Sequence, residues 1–176
     1  MTGDELRGLL VPHYASLKAL HAITAMIWGW STAVAWIYYL KPAFRRALAH
    51  PDDAELQERR DRMMEAFDRG VVIEHVAFPL LLATGLAMLW IGGFTLRAWS
   101  WLSFKLLIVS LVFVPIEVAD YHLAHFGGNK ARARRSGNLA RYRRSMRQHW
   151  VFLRVTEPVI ALLVPFVIYL AVAKPF

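Results

Sequence analysis

The chain has 176 residues, of which 57% are hydrophobic, 13% aromatic and only 19% charged, with seven Trp and a mean hydropathy of +0.35. An ordinary soluble domain is about a quarter charged, so this composition excludes a typical soluble enzyme and a disordered chain, and the length suggests one membrane domain. There is no cysteine, which removes disulfides, thiolate metal sites, iron–sulfur clusters and covalently attached haem; the net charge of +8 invites nucleic acid, a partner that its distribution argues against.

The N-terminus, Met-Thr-Gly-Asp-Glu, is acidic and lacks the pattern of a signal peptide. A bilayer core takes about 20 helical residues to cross. Four stretches qualify: about 17–40, 72–95, 99–125 and 150–173. The first and second hold apolar cores, Ala19 to Leu40 and Val76 to Leu96, free of Asp, Glu, Lys and Arg. The third carries Lys105, Glu117 and Asp120, and the fourth carries Arg154 and Glu157 near its start. Between the first two spans, Pro51-Asp52-Asp53 opens a segment rich in Glu, Arg, Gln and Met. It is expected to form an amphipathic helix on the membrane surface from Ala54 to Asp68. Pro79, Pro115 and Pro165 are expected to kink spans two, three and four.

Loop charge sets the orientation. Residues 41–70 hold seven basic and seven acidic residues, and 126–149 hold eight basic residues and no acidic one. The two loops, 41–71 and 126–149, fall on one face, which is therefore read as cytoplasmic, with both termini outside. Anionic lipid accounts for the basic tract, which has only Tyr142 to stack on a base. Nucleic acid is therefore not an expected partner.

Ionisable groups inside a span are costly and usually face the bundle interior. By depth they form two sets. His21 and Lys105 lie toward the outer ends of spans one and three. Glu74, His75, Glu117, Asp120, Tyr121, His122, His125, Arg154 and Glu157 lie toward the inner face, with His149 at the inner boundary. The sets stand roughly 15 Å apart along the membrane normal, so one iron cannot be bound by His21 and His75 together. Helical phase places His21, Thr24, Ala25, Trp28, Thr32, Ala35 and Tyr39 on one stripe of span one. Leu20, Ile23, Ile27, Trp30, Val34 and Ile37 lie on the opposite side, facing lipid. Glu117, Tyr121 and His125 share a face of span three, with His122 to one side. Glu117 and Asp120 require a partner, for which Arg154 or Arg69 is the expected cation. His13, His50 and His149 read as interfacial or solvent-facing.

Three chemistries suit these sets. Haem b between spans would use His75 with His122 or His125, and Arg154, Arg69 or Lys105 would meet its propionates. A metal site drawn from His75, Glu117, His122, His125 and Glu157 would suit iron, zinc or copper, although no HExxH motif is present. A structural subunit of a larger membrane complex would use its buried charges as ion pairs.

Four patches then carry a family resemblance. Lys18-Ala19-Leu20-His21 with Trp28, Trp101-Leu102 with Lys105-Leu106-Leu107, Tyr121-His122, and Arg154 with Glu157-Pro158 and the terminal Ala173-Lys174-Pro175-Phe176 together resemble the HemJ-type protoporphyrinogen IX oxidases. These are small membrane proteins containing haem b. The resemblance touches spans one, three and four, about a third of the chain. It implies oxidation of protoporphyrinogen IX to protoporphyrin IX, with electrons passed to the quinone pool or respiratory chain. It implies that His21 is a haem ligand or proton acceptor, and that Lys105 and Arg69 hold carboxylates. The chain departs from the family in the longer stretch between Lys105 and Tyr121, which contains Glu117 and Asp120. It departs again in Glu74-His75, which stands where the family has a Thr-Pro feature.

The chain is thus expected to be an all-α integral membrane four-helix bundle of a bacterial-type inner membrane, with N- and C-termini outside. Its expected cofactor is haem b, with a second metal ion left open. Its expected partners are the lipid bilayer, a porphyrin or quinone, and further copies of the chain or a larger membrane complex. A b-type cytochrome or accessory subunit without porphyrinogen turnover is the alternative, followed by a membrane protein with an iron, copper or zinc site.

Overall fold

The computed structural model describes residues 2–94, 96, 99–126 and 128–175, and every regular element among them is helical. Helix α1 (Gly3–Leu10) is held at its start by a capping box between Thr2 and Glu5. A short 3₁₀ turn at Val11–His13 leads into α2 (Tyr14–Ala35), a π-helical turn at Trp36–Leu40, and α3 (Lys41–Ala49). Asp53 caps α4 (Ala54–Gly70), accepting from the amides of Glu55 and Leu56. Through Val71, α4 runs on into α5 (Val72–Gly92), which ends at Gly93 with φ of 61°, the left-handed conformation that glycine adopts without strain. Then come α6 (Trp101–Ile108), a second π-helical turn at Val109–Phe113, α7 (Val114–His125), α8 (Lys130–Arg135) and α9 (Leu139–Ala173).

Four helical runs are long and apolar enough to cross a membrane: Glu5–Ala49, Ala54–Gly92, Trp101–Arg135 and Leu139–Ala173. Each contains one expected span. Arg7 Nε donates to the carbonyl of Ile91 at 3.1 Å, and Lys174 lies 5.5 Å from the Trp101 ring centre. Both chain ends therefore gather at the end of the bundle where α5 stops and α6 starts.

The runs overshoot a bilayer. At 1.5 Å per residue, the 39 residues of α4–α5 reach about 58 Å, against a hydrocarbon core of about 30 Å. The excess forms a second layer at the other end of the bundle, and the buried core divides accordingly. One cluster (Trp28, Ala77, Phe78 and Phe113) fills the apolar layer. A larger one (Trp36, Leu40, Phe44, Met64, Phe67, Tyr142, Met146 and others) fills the loop-side layer. The helix expected from Ala54 to Asp68 is present as Ala54–Gly70, and its placement is corrected. The segment 41–71 is mostly helix, and residues 126–149 include α8 and the first turns of α9. Helix α4 does not lie apart as a surface helix. It is continuous with the second span and buries Asp61, Met64, Phe67 and Asp68.

The outward stripe of span one is exposed as expected at Leu20, Ile23, Ile27, Trp30, Val34 and Ile37. The inward stripe is corrected at its end. Every fourth residue from Thr24 is buried, through Trp28, Thr32, Trp36, Leu40 and Phe44. A strict α-helix would carry such a series steadily round its surface. The π turn, with its i→i+5 bonding, takes up the extra residue and keeps the series on one face. Tyr39, expected inside, is turned outward instead and is 59% exposed. The second π turn comes just before Pro115, whose nitrogen has no hydrogen to donate. Within α9, Pro158 joins the expected Pro165 as an internal proline.

The loop-side layer depends on ordinary water-driven burial. Replacing the fully buried Met64 by Ala is expected to lower unfolding stability by about 2–5 kcal/mol. Leu48→Ala, at an exposed site of α3, is expected to stay within about 0.5 kcal/mol. Denaturation followed by circular dichroism compares the two.

Candidate functional site

Seven polar side chains from six helices form a continuous buried chain where the two layers meet. Span three supplies Glu117 and Asp120, nearly one turn apart on the inward face of α7. Carboxylates in so apolar a place must be paired, and each finds an imidazole. His75 Nδ1 lies 2.8 Å from Glu117 Oε1, and the indole of Trp28 donates to Glu117 Oε2 at 2.8 Å. On the other side, His149 Nε2 lies 2.7 Å from Asp120 Oδ1. His149 is fully buried, and its Nδ1 lies 2.7 Å from the ammonium of Lys130. Lys130 is fully buried too and donates to both oxygens of Asp68, at 3.0 and 2.8 Å, and to the carbonyl of Leu123. Burial pushes the Lys130 amine below its ordinary pKa, while Asp68 beside it pulls in the opposite direction.

The donors fix the tautomers. Lys130 only donates, so His149 accepts at Nδ1 and carries its proton on Nε2, which donates to Asp120. With Glu117 ionised, His75 donates from Nδ1, and its second ring nitrogen is Nε2. That atom is buried with no hydrogen-bond partner, 3.6 Å from Asp120 Oδ2, itself without one. His125 Nε2 and Glu157 Oε1 are likewise buried without a partner. The His75 ring packs edge-on against Tyr121 and His125, with ring centres 5.2 and 5.1 Å apart. Adjacent to His75, Glu74 points elsewhere: it accepts from Ser31, at 3.0 Å, and from Thr32, both on α2.

A second, smaller constellation lies in the other half of the apolar layer, nine residues or about 14 Å further along α5. The Thr84 hydroxyl donates to backbone carbonyls of its own helix, at 2.7 Å to Leu80 and 3.0 Å to Leu81. It therefore accepts from His21 Nδ1 at 3.0 Å, which leaves the lone pair of His21 on Nε2. Gly85 makes room for the ring: a Cβ there would stand 3.2 Å from His21 Cε1. Lys105 lies close enough for its charge to bear on His21. It is half-buried and has no hydrogen bond or ion pair among the described residues.

The structure thus brings together some expected site residues and not others. His75, Glu117 and His125 meet, and His21 faces Lys105. His122, Arg69 and Arg154 are exposed and stand outside both constellations. The expected pairing of Glu117 and Asp120 with Arg154 or Arg69 is corrected: the partners are Trp28, His75 and His149. The reading of His149 as interfacial is corrected as well. Of the five expected metal ligands, Glu157 is buried on α9, and among the described residues no three His, Asp or Glu side chains converge to hold a metal ion. Sequence reasoning missed Asp68 and Lys130. Asp68 had a signal, since it stands seven residues before His75 on the same inward stripe. Lys130 had none, being one of eight basic residues in its loop.

No family model, curated protein or solved structure matches the chain. The site has to be read from its own geometry.

Removing one partner of a buried ion pair strands the other. Lys130→Met is expected to cost about 3–5 kcal/mol of stability. Adding Asp68→Asn is expected to recover part of that loss, because no buried carboxylate is then left unpaired. Thermal melts of the two single variants and the double variant close the cycle.

Proposed function

We propose that the chain is a haem-b oxidoreductase of a bacterial-type inner membrane, with both termini outside and the loop-side layer in the cytoplasm. Its reaction is the oxidation of protoporphyrinogen IX to protoporphyrin IX, releasing six electrons to the quinone pool or respiratory chain and six protons. The observation that carries the cofactor is the pair of imidazoles of the buried His75 and the half-buried His125, each with its Nε2 buried and unpartnered. They lie on different helices at the same depth. His75 also has the support that metal-bound histidines require, a carboxylate on its other nitrogen. His75 and His125 would hold the iron through these two nitrogens once the rings, now packed edge-on with centres 5.1 Å apart, part to admit it, whereas a bare metal ion asks for a shell of three or more. Haem held there would supply one-electron redox chemistry in a dry, apolar layer.

The residues that would meet the porphyrinogen are His21 and Lys105. An unpaired ammonium in an apolar half-layer suits the carboxylate of a macrocycle entering from the lipid. His21, with Nδ1 held by Thr84, presents a free Nε2 to accept a proton. The exposed Arg69 and Arg154 have no part in this reading. A b-type cytochrome without porphyrinogen turnover would use the same two imidazoles.

A reduced-minus-oxidised spectrum and a pyridine haemochrome assay on detergent-purified protein test the proposal. The expected result is a b-type α-band at about one haem per chain. His75→Ala and His125→Ala are expected to lower haem content about tenfold or more, in line with loss of a ligand or its support, whereas His122→Ala retains it. Lys105→Met and His21→Ala should keep haem and lose porphyrinogen oxidation. Colourless protein that takes up no added haem would sink the haem reading. Haem without turnover would leave the cytochrome.

A further inference from the structure

On the lipid-facing side of the first span, two features join. A cavity of about 250 Å³ opens between the π turn, α3 and α4, with Tyr38, Tyr39, Arg46, Leu56, Arg59 and Met63 on its walls. A second, apolar cavity of about 240 Å³ runs between α2 and α9, past Gly29, Ala33, Val34, Ile37 and Val164. Both include Tyr38. The first lies directly beyond the apolar run that ends at Leu40, at the level where a bilayer gives way to headgroups. The second follows the same span back toward the membrane interior for about 12 Å, the eight-residue rise from Ile37 to Gly29.

The first cavity carries charge that the protein does not use. Most of the loop-side carboxylates are taken. Glu58 pairs with Arg62 and Arg134. Asp61 pairs with Arg60. Glu65 pairs with Arg134 and accepts from Tyr142. Asp68 pairs with Lys130. The side chains of Arg46 and Arg59, from two different helices, make no hydrogen bond or ion pair among the described residues, yet both line this cavity. Two guanidinium groups from separate helices lining one cavity offer the kind of donors that phosphate oxygens favour. The π turn adds Tyr38 and Tyr39, 70% and 59% exposed, aromatic rings with a polar tip of the kind enriched at the membrane–water interface. In the second cavity, Gly29 and Ala33 keep the helix surface low, so that a groove rather than a ridge faces α9.

We propose that these two cavities form one site for an anionic phospholipid. The phosphate lies between Arg46 and Arg59, the glycerol region crosses Tyr38, and an acyl chain follows the groove between α2 and α9. A cavity of this size takes a headgroup and not a whole ligand, which is why the apolar groove beside it matters. The proposal uses the reading of the chain as a membrane protein and is independent of haem. Lipid preference and haem content are separate readouts on one sample, so either can fail alone.

Native mass spectrometry of the full chain released from detergent tests it. The probes are phosphatidylglycerol, phosphatidylcholine with the same acyl chains, and inorganic phosphate. The expected result is one phosphatidylglycerol per chain, preferred over phosphatidylcholine by about thirtyfold, the scale expected for two basic groups at an anionic surface. Arg46→Gln with Arg59→Gln should reduce that preference below about twofold. Ala33→Trp, which fills the groove, should weaken both lipids and leave the preference in place. Unchanged helical content by circular dichroism shows that the variants are folded. Equal binding of the two lipids to the unaltered chain would overturn the proposal, as would a preference that survives the double substitution. Inorganic phosphate binding as well as the lipid would assign the arginines to a free anion and would also overturn it.

Discussion

Two carboxylates nearly one turn apart on span three, Glu117 and Asp120, set the terms on which this bundle folds. Neither can be left bare in an apolar interior, where an unpaired charge costs several kcal/mol. Glu117 is satisfied within the apolar layer, by His75 of α5 and Trp28 of α2. Asp120 is satisfied from the other side, by His149 of α9. The buried His149 in turn needs Lys130, and Lys130 needs Asp68. Satisfying span three therefore draws in α8 and α4, which are not spans at all. The loop-side layer is docked to the membrane layer through this chain of polar contacts as well as through the apolar cluster around Met64 and Leu40.

That coupling explains why the helices run longer than a bilayer is thick. A span that stopped at the membrane surface would place Asp68 and Lys130 in mobile loops. Continuing α5 back into α4 without a break holds Asp68 at a fixed angle, two turns from His75. Extending α9 toward its N-terminus does the same for His149, ten residues after its first residue. The basic tract then has two roles. Lys130 is wholly buried, Arg134 pairs with Glu58 and Glu65, and others remain at the surface.

Much of the apolar layer was legible from period alone, because a lipid-facing side and an inward side differ in composition at 3.6 residues per turn. Leu20 to Ile37 follow that rule. Tyr39 escapes it because a π turn adds a residue, and no composition signal marks such a turn. The depth sorting of ionisable groups was legible as well: His21 and Lys105 are near one another, and His75 meets Glu117 and His125. The choice of partner was not. Arg154 and Arg69 are near Glu117 and Asp120 in depth, but depth leaves the rotation of each helix open, and both arginines turn outward. His149 looked interfacial because it sits at the end of an apolar run; its burial depends on α4 and α8 covering it, a tertiary fact that the run itself does not contain.

His21 and His75 are held by the same device at two depths. In each, Nδ1 is tied to an acceptor, and Nε2 is the second ring nitrogen. The acceptors differ: a neutral hydroxyl, Thr84, for His21, and a carboxylate, Glu117, for His75. A carboxylate makes the opposite nitrogen a stronger donor to a metal, and a hydroxyl fixes the ring without doing so. Lys105 lies near the His21 site, whereas Asp120 Oδ2 lies 3.6 Å from His75 Nε2. Under the proposed reading the two imidazoles are suited to different tasks by their partners alone. On that reading the one backed by carboxylates would bind iron, and the one backed by a hydroxyl, with Lys105 nearby, would meet an acidic, apolar substrate.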